Sequence, residues 1–322
     1  MLTKERLRAI LELLPPRISV LLENTGDEII RRVDEIRLRA QRPIAFTMAQ
    51  GDVFLSRDGG FQSLPKDAVI IEAQELRETF LGLCRHSIYA YEEELRSGYL
   101  TLPGGNRVGV GGRTVVRGGE ITSMAECSSL CIRIAREVKG CGDFALAYLH
   151  DGTDVHSSLI ISPPMMGKTT MLRDIARQVS DGIFGAGGKR VCVVDERCEI
   201  ASCHQGVPQM DVGQRTDVLD GCPKSQGMTM ALRSLSPQVI VTDELGGAAD
   251  SAAVMNALFS GVKVIASAHG TDIDDVLRRS DIRALVEQGA FSRYFILGDR
   301  PGTVKEVLNE SLNLIYSKDA YR

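Results

Sequence analysis

Residues 158–179 read SLIISPPMMGKTTMLRDIARQV, and this stretch decides the fold. Leu159, Ile160 and Ile161 form a short apolar run of the kind that makes a buried strand. Leu172, Ile175, Ala176 and Val179 then recur at helical spacing, and Gly182 is placed to end that helix. Between them lie Ser162, Pro163, Pro164, Met165, Met166, Gly167, Lys168, Thr169 and Thr170. Strand, loop, Gly-Lys-Thr and helix stand in the order a phosphate-binding loop requires. Backbone N–H groups of the loop and of the helix start are expected to wrap the phosphates of ATP. Lys168 supplies a point positive charge to the outer phosphates, and Thr169 offers its hydroxyl to Mg2+. One position departs from the usual G-x-x-x-x-G-K-[ST] pattern: Ser162 stands where its first glycine belongs. Serine carries a cost that glycine does not at an unusual backbone angle, so the loop is expected to be entered along a slightly different path.

Working outward, the apolar runs RVCVVDE, PQVIVTDE and VKVIASAHG alternate with helical segments. That alternation argues for a mainly parallel sheet covered by helices on both faces. A nucleotide hydrolase needs carboxylates beside the phosphates, at the carboxyl ends of neighbouring strands. Val239–Thr242 leads into Asp243-Glu244, the pattern of a Walker B strand. Asp243 is expected to hold Mg2+ mostly through water, and Glu244 to polarise the attacking water. Val191–Val194 leads into Asp195-Glu196, and Glu196 competes with Glu244 for the role of general base. A third run ends in Ser267-Ala268-His269-Gly270, where His269 is placed either to sense the terminal phosphate or to serve the structure alone. Arg197, Arg215 and Arg233 flank these runs. A ring-forming ATPase takes an arginine from the neighbouring subunit, and Arg215 or Arg233 is the expected donor.

The boundary is expected near residue 145, with an α/β domain over 1–145 and the P-loop domain over 146–322. In the first part Leu76, Phe80 and Leu83 share a helical face, as do Ile88, Tyr91 and Leu95 before Gly98. The segment GGNRVGVGGRTVVRGGEI reads as antiparallel strands with glycine turns, and Ile132 and Ile134 as a further strand. Leu7, Ile10, Leu11 and Leu14 suggest an amphipathic helix stopped by Pro15. With 322 residues the chain is long enough for two cores. Lysine plus arginine number 38 and aspartate plus glutamate 42, a formal charge of −4. An acidic balance with few aromatics and no tryptophan argues against nucleic acid as the main partner, although a nucleic-acid-binding motor remains the alternative in another class. The eight cysteines form no C-x-x-C pair, and nothing resembles a signal peptide or a membrane span. They are read as reduced cytosolic thiols. Cys198, Cys203, His204 and Cys222 lack the tight paired spacing of a zinc site, so no zinc is expected.

Taken together, ELRSGYLTLPGGNRVGVGG, SPPMMGKTTMLRDIAR, VVDERCEIA, DVGQRTDVLDGCPKSQGM, ALRSLSPQVIVTDELGG and ASAHGTD resemble the stage III sporulation protein AA family. That family is related to the type II and type IV secretion ATPases. The resemblance runs through most of the chain. It implies that VVDERCE is similar to the acidic box of secretion ATPases and ASAHG to their histidine box. It further implies a RecA-like P-loop ATPase domain preceded by a smaller α/β domain. Arg107, Arg113 and Arg133 of that smaller domain are then candidates to reach nucleotide. The implied assembly is a homo-oligomer, a hexameric ring. It is cytoplasmic, on the mother-cell side of the membrane, and docks on a membrane channel component of a sporulation transport complex. An ATP-binding assembly factor with weak turnover is the remaining alternative.

Overall fold

The computed structural model describes residues 10–23, 32–48, 50–96, 98–183, 185 and 187–321. They fall into two compact units that part between Glu137 and Val138. Of the amino-terminal helix read from sequence, Leu7 lies outside the described residues, while Ile10 and Leu14 are buried. The chain then turns and a second helix, Pro16–Glu23, starts at a proline and buries Ile18 and Leu22. Pro15 therefore separates two helical segments. A proline in the first turn lacks only an N–H that has no helical partner anyway.

The first unit carries β1 (Val33–Arg39), β2 (Arg42–Pro43), β3 (Ala45–Met48), β4 (Gly51–Leu55), β5 (Phe61–Gln62), β6 (Ile70–Ile71), β7 (Tyr99–Thr101), β8 (Arg107–Arg117) and β9 (Glu120–Arg133). Seven of them form an antiparallel sheet in the order β5-β4-β3-β1-β9-β8-β7, and β2 pairs with β6 apart from it. The β8–β9 hairpin turns at Gly118-Gly119, both with positive φ, which glycine adopts at no steric cost. Ile121 and Ile132 belong to one long strand, where the sequence suggested two. The helix Ala73–Leu83 lays Leu76, Phe80 and Leu83 into the same core as Val108, Leu130 and Ile132.

The second unit carries β10 (Ser158–Ser162), β11 (Val191–Asp195), β12 (Thr216–Asp220), β13 (Val239–Thr242), β14 (Lys263–His269), β15 (Arg293–Leu297), β16 (Val304–Asn309) and β17 (Leu314–Ser317). The sheet order is β12-β11-β13-β14-β10-β15-β16-β17. The first six strands run parallel, β16 returns antiparallel to β15, and β17 pairs antiparallel with β16. All five residues of β10 and of β11 are buried, as are all four of β13. Covering on both faces explains their unbroken apolar runs. Leu159 and Ile161 pack in one apolar cluster and Ile160 in another, as strand alternation demands. The outer strands β12 and β17 carry no clear sequence signal, because half-exposed edge strands lack that unbroken signature.

Phe295 of β15 is fully buried beside Ile160. Phe295→Ala is expected to destabilise the second unit by about 3–5 kcal/mol through the cavity it leaves. Urea unfolding of the intact chain reads this, and a loss below about 1 kcal/mol would mean the sheet collapses to fill the gap.

Candidate phosphate-binding site

Parallel pairing brings Ser162, Asp195, Thr242 and His269 to the carboxyl edge of the sheet. Ser162 stands opposite His269, and Thr242 is in register with Val194 on one side and Ala266 on the other. Asp243 and Glu244 follow directly. This edge, just past the strand ends, is where open α/β sheets bind ligands.

The loop corrects the expectation placed on Ser162. That residue ends β10, is fully buried, and is not among those with positive φ. Serine therefore carries no backbone penalty there, and its hydroxyl donates to Pro163 O at 2.8 Å. The left-handed conformations fall at Met165 (φ 61°) and Gly167 (φ 87°). Gly167 caps the helix Lys168–Asp181, and a Cβ there would lie 2.9 Å from Gly302 N. Gly302 N–H in turn donates to Met166 O at 2.9 Å, so the turn between β15 and β16 braces the phosphate loop. The Lys168 ammonium donates to Ser162 O at 3.1 Å. Burial draws its pKa below the ordinary lysine value; Glu244 and Asp243 oppose this, while Arg279 and Arg197 reinforce it.

The two acidic strand ends behave differently. Asp195 is fully buried and accepts from Glu199 N and Ala201 N, each at 2.8 Å. It shapes the loop after β11 and has no face left for chemistry. Glu196 is ion-paired with the Lys224 ammonium. Lys224 begins the helix Lys224–Ser234, is only 4% exposed, and also lies 3.5 Å from Asp243 Oδ1. Burial works against the Lys224 charge, but Glu196, Asp243 and Asp250 outweigh it and hold the pKa above the ordinary lysine value. Asp243 is buried and its Oδ1 has no hydrogen-bond partner. Burial pushes its pKa up to about 6, against the pull of Lys224 and with Asp195 and Glu199 adding to the rise. Glu244 N–H donates to Ser267 Oγ at 2.9 Å, which fixes the backbone, and its carboxylate pairs with Arg197 at 2.8 Å.

His269 is exposed at the end of β14, and its carbonyl accepts from Arg279. Arg215 sits just before β12, at the opposite edge of the sheet. It donates to Ser180 O at 3.1 Å, near the far end of the phosphate-loop helix and about 18 Å along it from Lys168. Arg233 is exposed in the last turn of its helix, about 14 Å along from Lys224. Within one chain neither is gathered at Lys168, whereas Arg197 and Arg279 are close enough to act on its charge. Lys224, Arg279 and Gly302 were missed in the sequence. Lys224 left one signal: a lysine at a helix start opposes the helix dipole and needs an external carboxylate.

Asp243 Oδ1, which has Lys224 at 3.5 Å but no hydrogen bond, and the Thr169 hydroxyl at the helix start are hard oxygen donors of the kind Mg2+ takes. Among the described residues no group of three or more His, Cys, Asp or Glu side chains could hold a metal ion. A small divalent ion would thus draw its other oxygens from phosphate and water, which is how Mg2+ is commonly held.

The Asp243 shift gives a stability prediction. Its folded pKa lies above the unfolded value of ~3.9, so the folded state binds the extra proton and ionisation costs stability as pH rises through about 4 to 6. Asp243→Asn is expected to melt higher than wild type at pH 8, by about 1–3 kcal/mol, with the gap closing towards pH 4. An equal or lower melting temperature at pH 8 would show that Lys224 fully offsets the burial.

The sequence model of the family described as "Sporulation stage III, protein AA" matches residues 4–314. Stage III sporulation protein AA of Bacillus subtilis (strain 168) is 39% identical over 308 residues, covering 95% of this chain and 96% of that protein. Among solved structures, the Legionella pneumophila ATPase DotB aligns with a TM-score of 0.61 at 13% identity, over 92% of this chain and 81% of that one. The pilus retraction motor PilT, solved with bound ADP, aligns with a TM-score of 0.54 at 17% identity, over 84% and 75%. At such identities the likeness establishes the fold alone: a RecA-like ATPase domain preceded by a smaller α/β domain.

Proposed function

The chain belongs to the sporulation stage III protein AA family, and on that premise we propose that it is a Mg2+-dependent ATPase subunit of a ring that energises a membrane-associated channel complex in sporulation. One observation carries the reading. Lys168, Asp243, Glu196 and Glu244 converge at the carboxyl edge of a RecA-like sheet, beside a strand–loop–helix with Gly167 in the left-handed conformation its cap requires.

The roles follow from the geometry. Backbone N–H groups of the loop and the start of the helix Lys168–Asp181 bind the phosphates. Lys168 exchanges Ser162 O for phosphate oxygens, because an ammonium binds an anionic acceptor more strongly than a neutral carbonyl. Thr169 and Asp243 would hold Mg2+, which would neutralise charge on the phosphates. Glu196 is committed to the buried Lys224 ammonium, so its carboxylate serves that ion pair. Among the described residues the ion pair of Glu244 is with Arg197, which is itself exposed, an interaction worth ~0–1 kcal/mol and readily given up. Glu244 is therefore the general base. It takes the proton of a water whose oxygen bonds to the γ-phosphorus as the bond to the β–γ bridging oxygen breaks, leaving ADP and phosphate.

Arg215 or Arg233 of an adjacent subunit is the candidate to stabilise charge on the transferred phosphoryl group, so turnover depends on assembly. The partners are then further copies of this chain and a membrane component. Among the described residues no helix is long and apolar enough to cross a membrane. The family membership is the ground for reading the ring as peripheral to the membrane, on the mother-cell side. Phosphate release from Mg-ATP, followed against protein concentration, tests it. The rate per chain is expected to rise with concentration and to vanish in EDTA. A flat rate per chain removes the ring, and EDTA-insensitive release removes the metal.

A further inference from the structure

Lys224 is the only buried lysine among the described residues. Burying an ammonium is costly unless it is fully paired. Its two partners come from different strand ends, Glu196 after β11 and Asp243 after β13. It thus ties the loop carrying Glu196 to the strand end carrying Asp243 and Glu244, beneath the exposed Arg197–Glu244 pair that joins the same two segments. Gly227, one turn further along the same helix, fixes how closely that helix approaches. A Cβ there would meet Val194 Cγ1 at 2.5 Å and Cys222 Sγ at 2.6 Å, so the helix start is held down onto β11. Met228 and Ala231 are buried in the same apolar cluster as Cys192 and Val194. The ammonium is therefore delivered by rigid packing rather than by a mobile surface chain.

We propose that Lys224 is a positioning residue of the ATPase site: it clamps Glu196 and Asp243 at a fixed separation and so holds the Asp243-Glu244 strand end in register with the phosphate loop. The inference rests on the ATPase reading above and deepens it. Lys224 is assigned no contact with the reacting atoms. It acts through Asp243, and through Glu196, whose part is to complete the clamp.

A double-mutant cycle on the full chain tests this, with Lys224→Met, Glu196→Gln and the double variant assayed for Mg-ATP hydrolysis and for binding of a non-hydrolysable ATP analogue. Lys224→Met is expected to lower kcat by about 10- to 100-fold while KM and analogue binding change by no more than about 3-fold. Because both residues serve one clamp, the double variant is expected to lose no more than Lys224→Met alone. Methionine keeps the volume of the stem, and Glu196 is half-exposed, so Glu196→Gln tests the clamp even if Lys224→Met lowers the melting temperature. A kcat within about 2-fold of wild type for Lys224→Met, or losses that multiply in the double variant, overturns the proposal. Losses in kcat and analogue binding that merely track a fall in folded fraction also overturn it. A folded wild-type chain that neither binds the analogue nor hydrolyses ATP overturns the ATPase reading instead.

Discussion

Lys168→Ala is expected to weaken ATP-analogue binding by about 2–4 kcal/mol, roughly 30- to 1,000-fold, and to remove turnover. The side chain is half-buried at the start of its helix and already directed at the loop, where it holds the Ser162 carbonyl. Removing it leaves the helix start to bind several phosphate charges without a counter-charge. The fold is expected to survive, because Lys168 contributes no apolar contact to the core around Ile160 and Leu172. Titration of a fluorescent ATP analogue, beside a thermal melt, separates the two. Unchanged affinity in the folded variant would show that nucleotide does not use this loop.

The second large effect distinguishes two glutamates that look alike in sequence. Glu244→Gln is expected to lower kcat by about 10²–10⁴-fold while analogue binding is retained, the range a lost general base produces. Glu196→Gln is expected to lose far less, since Glu196 is tied to Lys224 and serves position rather than proton transfer. Single-turnover hydrolysis with each variant decides the matter. Equal losses, or the larger loss in Glu196→Gln, would reverse the assignment.

Much of the second unit is legible in the amino-acid sequence, because its signals are local. Buried parallel strands leave unbroken apolar runs, and the phosphate loop lies within a dozen residues. The acids after β11 and β13 can be placed by strand polarity alone. Their separate fates cannot. Asp195 is consumed by Glu199 N and Ala201 N, and Glu196 by a lysine 28 residues away. Long-range pairing of that kind has no period and no spacing. The same holds for Gly302, which braces Met166 from a turn more than a hundred residues on. Ser162 misleads for a different reason. A glycine in a motif suggests a left-handed angle, yet here the chain places that angle at Met165, where the side chain is 95% exposed and has room to adopt it. The arginines are the least legible, because an exposed arginine carries no local sign of what it faces.

The most direct measurement is a structure of the chain with a non-hydrolysable ATP analogue and Mg2+. The expected result has the β- and γ-phosphates wrapped by residues 163–169, with Lys168 transferred from Ser162 O to a phosphate oxygen. The metal sits between Thr169 and Asp243, and Glu244 lies nearer than Glu196 to the water facing the γ-phosphate. An analogue bound elsewhere, with Lys168 still on Ser162 O, would contradict the central claim.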